Sequence, residues 1–169
     1  MRIMGIDPGL ASIGWGIIEY PGGGPDSVKW GAFKTDSKKS MAQRLLDIHN
    51  SIQAIIREHQ PDVVSIEELF FATNVKTAIV VAQARGAIVL STAESNLEVH
   101  EYTPLQIKKA VTGRGGAAKG QVQRMVASLL GLREIPKPDH AGDALAAALC
   151  HGHTLKTRRI TQATGRNRR

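Results

Sequence analysis

Four acidic or imidazole side chains stand where a metal-dependent chemistry would need them: Asp7, Glu67, His140 and Asp143. Asp7 ends the apolar run Ile3-Met4-Gly5-Ile6, and an ionised carboxylate there is expensive to bury unless it is paired or bound to a cation. Read alone, it could equally cap the Pro8-Gly9 turn. Glu67 and Glu68 follow Val63-Val64-Ser65-Ile66, and strand alternation sends the two glutamates to opposite faces, so only Glu67 can share a face with Ser65. His140 and Asp143 are three residues apart, one face of a helix, with the apolar run Ala144–Leu149 directly behind them. Asp143 could instead serve the helix dipole, and Asp139, after Pro138, reads as a cap. Oxygen-rich sets of this kind suit Mg²⁺ or Mn²⁺. Two such ions roughly 4 Å apart can activate water and stabilise the leaving oxygen in phosphodiester cleavage.

The elements that must position these groups follow from periodicity. Residues 2–7, 13–20 and 28–35 read as three strands on short links, the glycine-rich 21–24 being a turn; such strands form an antiparallel meander. Met41, Leu45, Ile48, Ile52 and Ile55 make one apolar stripe of a helix that Pro61 follows. A strand ending at Glu67, a long Ala/Val-rich helix over 75–95 and a strand at Glu98–Tyr102 continue the chain. Thr103-Pro104-Leu105-Gln106 is a helix start, with a Thr cap, Pro at the first position and Gln three residues on. After the flexible Gly113–Gly116, a helix runs from about Lys119 to Leu130, Gly131 ends it, and a last helix begins near Asp139. The expected architecture is α/β: a mixed five-stranded sheet flanked by helices, in one domain over 1–153 with a basic, flexible tail at 154–169.

Composition narrows the partners. The net charge is +7, and the six basic residues after Thr154 leave only +1 for residues 1–153. A second basic stretch, from Lys108 and Lys109 through Arg114 and Lys119 to Arg124, contains no acid and lies on folded elements, which favours it as a nucleic-acid surface. No apolar run is long enough to span a bilayer, and Asp7 interrupts anything resembling a leader, so a cytoplasmic protein is expected. The single Cys150 can form no internal disulfide and reads as a helix-packing residue.

The segments GIDPGLASIGWG at 5–16, SIEELFFATN at 65–74, AQARGAIV at 82–89 and HAGDALAAALCH at 140–151 resemble the RuvC family of Holliday junction resolvases, over essentially residues 1–153. The resemblance implies a ribonuclease-H-like fold, two divalent cations per site, and a homodimer formed through the helix at 75–95. It implies paired symmetric nicks in four-way junction DNA that leave 5′ phosphates and 3′ hydroxyls, and association with a branch-migration helicase. By position, Asp7, Glu67, His140 and Asp143 would be the catalytic and metal-binding set, Phe70 would stack on a base, and Lys108 and Lys119 would contact phosphate. Many family members carry Asp where this chain has His140, leaving His140 or Asp139 to complete the set; its spacing to Asp143 favours His140. A neutral imidazole suits Mn²⁺ better than Mg²⁺, so better activity with Mn²⁺ is expected. Three other readings remain at this point: an actin-like or sugar-kinase-like ATPase, for which the chain is short; a related nuclease acting on another nucleic acid; and a junction-binding protein without catalysis.

Overall fold

The computed structural model of the protein describes residues 1–20, 25–68 and 75–166, without the side chains of 27, 28, 75, 76 and 158–166. The order is β1 (Arg2–Asp7), β2 (Ser12–Glu19), β3 (Asp26–Lys34), α1 (Met41–His59), β4 (Val63–Glu67), α2 (Val75–Glu94), β5 (Glu98–Tyr102), α3 (Pro104–Thr112), α4 (Lys119–Leu129) and α5 (Asp139–Arg166). The expected strands and helices are all present; the strand ends and the start of α5 fall within about two residues of the expected ones, while α5 runs well past its expected end. Five strands form one sheet in the order β3-β2-β1-β4-β5. The meander β1-β2-β3 is antiparallel, while β4 adds parallel to β1 and β5 parallel to β4.

Alternation in the strands divides the core into two layers. Met4, Ile6, Ile13, Ile17, Val64 and Ile66 face Ile48, Ile52 and Ile56 of α1 and Ala84 and Ile88 of α2. Ile3, Ile18 and Val63 face the other way, onto α3, α4 and the Leu145–Cys150 stretch of α5. Helix ends obey local chemistry. Thr103 and Gln106 form the capping box expected for α3, and Ser40 and Gln43 form a second one at α1 that the sequence reading did not pick out. Gly113 and Gly131 take positive φ just past α3 and α4, a backbone state that costs glycine little. Helix α5 crosses residue 153 without a break and continues to Arg166, so the backbone of the expected tail is a helical extension as far as that residue.

α5 lies across the sheet at unusually close range, and glycines permit it. A Cβ at Gly5 of β1 would collide with the Ala144 carbonyl, and one at Gly14 of β2 with the His140 carbonyl. The Ser65 hydroxyl of β4 donates to the Ala147 carbonyl at 2.7 Å, pinning the same helix from the next strand. The start of α5 is thereby fixed over the C-terminal ends of β1 and β4.

Candidate active site

The close packing of α5 has a chemical consequence. Asp7 at the end of β1 and His140 and Asp143 in the first turns of α5 bring one ligand atom each to within 4.8 Å of one another. Asp7 Oδ2 and His140 Nδ1 lie 2.6 Å apart. Glu67, half-buried at the end of the neighbouring parallel strand, borders this group. It lines a pocket of about 240 Å³ with Lys108, Lys119 and Asp143. Glu68, just past the end of β4, is exposed.

Electrostatics in the cluster are unbalanced toward negative charge. Burial pushes the Asp7 carboxyl above its ordinary range, and Asp143 adds to the rise, against a lowering hydrogen bond to His140. Burial, then the charges of Asp7 and Asp143, raise Glu67 from 4.5 to about 7. A divalent cation held among these carboxylates would favour their ionised forms. The donors are carboxylate oxygens and an imidazole, which fit Mg²⁺ or Mn²⁺.

Lys119 supplies the partial counter-charge, with Nζ 2.9 Å from Asp143 and 3.7 Å from Asp139. Its hydrogen bond to Asp143 holds the ammonium's pKa above the usual lysine value. The sequence reading gave Lys119 a phosphate role and missed this contact. Asp139 is exposed, pairs with Lys119 and stands apart from the three-residue group, whereas His140 reaches Asp7. Lys108 joins the same pocket. Arg114 lies in the exposed loop after α3, its backbone tied to Thr112, and among the described residues no hydrogen bond or ion pair brings its side chain to the cluster. Phe70 falls outside the described residues. Cys150 is buried among helix-packing residues, its thiol pushed up to about 12 by burial, consistent with a packing role.

A larger groove of about 1140 Å³ lies between β5, α3 and the later turns of α5, lined by His100, Tyr102, Lys109 and His153 among others. The one carboxylate among its described lining residues, Glu101, is paired with Arg85. Size alone does not mark the active site; the convergent acids beside the smaller pocket do.

Known proteins give the same arrangement a context. The family profile described as crossover junction endodeoxyribonuclease RuvC matches residues 3–151. The crossover junction endodeoxyribonuclease RuvC of Alkaliphilus oremlandii is 53% identical over 154 residues, covering 91% of this chain and 94% of that protein. The Thermus thermophilus RuvC structure superposes with a TM-score of 0.86 at 34% identity, covering 93% of this chain and 96% of the other. T. thermophilus RuvC in complex with Holliday junction substrate gives 0.84 at 32% identity, with the same coverage. The fold is thus ribonuclease-H-like, a mixed sheet with helices on both faces. With its sequence matched nearly end to end and its acids gathered where two parallel strands meet the start of α5, the chain belongs to the RuvC family of crossover junction endodeoxyribonucleases.

Proposed function

We propose that this protein resolves four-way DNA junctions by paired symmetric nicks, hydrolysing one phosphodiester bond at each of two active sites and leaving 5′ phosphates and 3′ hydroxyls. The observation that carries this reading is the convergence of Asp7, His140 and Asp143 beside Glu67, in a chain of the RuvC family. A structural relative solved with a Holliday junction substrate supports the choice of DNA.

Asp7, Glu67, His140 and Asp143 would hold two divalent cations, and their donor types and their excess of negative charge support that assignment. When bound, the ions supply Lewis-acid activation of water and neutralise charge developing on the phosphate. The chain's own groups do the rest. Asp7 and His140 orient each other across their 2.6 Å contact. Lys119 neutralises Asp143 until a substrate phosphate offers a second anion, and with Lys108 it fixes that phosphate beside Glu67. Arg114 contributes charge to the DNA-facing loop, and Phe70 stacks on a base near the crossover. The imidazole of His140 makes Mn²⁺ the preferred ion.

Two sites on opposite strands require a two-fold dimer. Ile79 and Leu90 of α2, 54% and 56% exposed in the single chain, support α2 as the dimer surface. Leu90→Glu should then give a monomer by sedimentation. A branch-migration helicase as partner, and action in the cytoplasm, belong to the same reading; among the described residues no helix is long and apolar enough to cross a membrane.

Cleavage of a mobile four-way junction, mapped on all four strands with metal and with EDTA, tests the proposal. Symmetric paired cuts that need metal support it. Equal cutting of linear duplex or RNA–DNA hybrid, or no cutting at all, defeats it.

A further inference from the structure

The catalytic cluster sits at one end of a surface that leads away from it along the opposite sheet edge from β5. β3 is that edge strand, and its residues Trp30, Ala32 and Lys34 share one face by alternation. That face is the α5 side: Trp30 pairs in register with Gly16, over which Leu145 packs, and Ala32 with Gly14, over which His140 sits. Alongside runs the exposed connection between α4 and α5. Two grooves result. One, about 690 Å³, is lined by Ser12, Lys34, Lys137, Pro138, Asp139 and His140. The next, about 490 Å³, is lined by Trp30, Leu132, Arg133, Glu134, Ile135 and Lys137. Lys137 belongs to both, so the path is continuous from His140 to Trp30.

The charge of this path is specific. Lys34, Arg133 and Lys137 are exposed and form no ion pair among the described residues. The acids on the path are Glu134, and Asp139, which Lys119 already partners. Trp30 and Ile135, 37% and 38% exposed, put apolar surface between the cations. Four strand steps take Trp30 to Lys34, a span of about 13 Å, or roughly four base pairs of duplex. Unpaired cations interleaved with an exposed indole fit the sugar-phosphate backbone of duplex DNA.

We propose that Lys34, Lys137, Arg133 and Trp30 form an arm-binding path that holds duplex DNA as it leaves the active site. The inference rests on the junction-cleaving reading for the identity of the DNA, but its residues are distinct from the catalytic set. They position substrate and touch no reacting atom.

The test compares wild type with the triple variant Lys34→Ala/Arg133→Ala/Lys137→Ala and with Trp30→Ala, in EDTA, on an immobile four-way junction and on a linear duplex, over a range of salt. Losing three phosphate contacts should flatten the slope of log K against log salt by about 2.7, at about 0.9 per contact. Trp30→Ala should weaken binding with the slope unchanged. With metal, single-turnover cleavage at saturating protein should match wild type for both variants. Melting temperatures identify a variant that misfolds, and Lys→Gln and Arg→Gln versions of the same positions then replace it. An unchanged salt slope on the junction, with Lys119→Ala still lowering it, overturns the path and leaves the junction reading intact. If wild type shows no preference for the junction, that reading fails separately, and the slope on the linear duplex decides the path.

Discussion

Replacing Glu67 by glutamine is expected to stabilise the metal-free protein at neutral and alkaline pH while abolishing cleavage. Glu67 is half-buried at the end of β4, and burial together with Asp7 and Asp143 raises its pKa from 4.5 to about 7, against the lowering pull of Lys108 and Lys119. The folded protein therefore binds that proton more tightly than the unfolded chain. Between those two values the unfolded state holds fewer protons, so stability falls as pH rises through the window and stays lowered above it. The gap of about 2.5 pH units corresponds to ~3 kcal/mol at about 1.36 kcal/mol per unit. Because the side chain keeps access to water, screening reduces this, and a gain of about 1–2 kcal/mol for Glu67→Gln is expected above pH 7. At about pH 4 the carboxyl is protonated in both states and the advantage should vanish. Urea unfolding in EDTA at pH values on both sides of the window measures it. Adding Mn²⁺ should raise the midpoint of wild type and raise that of Glu67→Gln less. Equal midpoints for the two proteins at every pH would refute the electrostatic account of the cluster.

Four further outcomes follow from the same geometry. Asp7→Asn should abolish cleavage and preserve junction binding, measured by nicking and gel-shift assays on one preparation. Lys119→Ala should bind Mn²⁺ at lower concentration, since its ammonium no longer competes for Asp143, yet cleave more slowly; calorimetry and single-turnover rates separate the two effects. Wild type should cleave faster with Mn²⁺ than with Mg²⁺ at saturating concentrations, and His140→Asp should narrow that difference. Gly14→Ala should lose about 1–3 kcal/mol and most of its cleavage, because the added methyl meets the His140 carbonyl and lifts the start of α5; thermal melts and nicking check both.

Much of the fold could be read from the chain because its signals are local. Apolar strands that stop abruptly at Asp7 and Glu67, the stripe from Met41 to Ile55, and the Thr103–Gln106 cap each fix an element from a few neighbouring residues. The acids were legible for the same reason: a carboxylate closing a buried strand is costly and draws attention. What escaped the sequence was set by contacts between distant segments. Lys119 meets Asp143 only because the first turns of α4 and α5 come together, and nothing in either helix alone announces it. Gly5 and Gly14 look like ordinary strand glycines until α5 is laid across them. Arg85 and Glu101 pair between α2 and β5 in the same non-local way. The basic stretch around Lys108 was found by counting charges; the path along β3 was not, because Lys34, Arg133 and Lys137 are scattered in sequence and joined only by the sheet edge and the α4–α5 connection.

The central claim is that four side chains from β1, β4 and α5 close on divalent ions. Anomalous diffraction from a crystal soaked in Mn²⁺ tests it most directly. The account requires two peaks roughly 4 Å apart, within bonding distance of Asp7, Glu67, His140 and Asp143. Ordered side chains at those positions with no anomalous signal between them would contradict it.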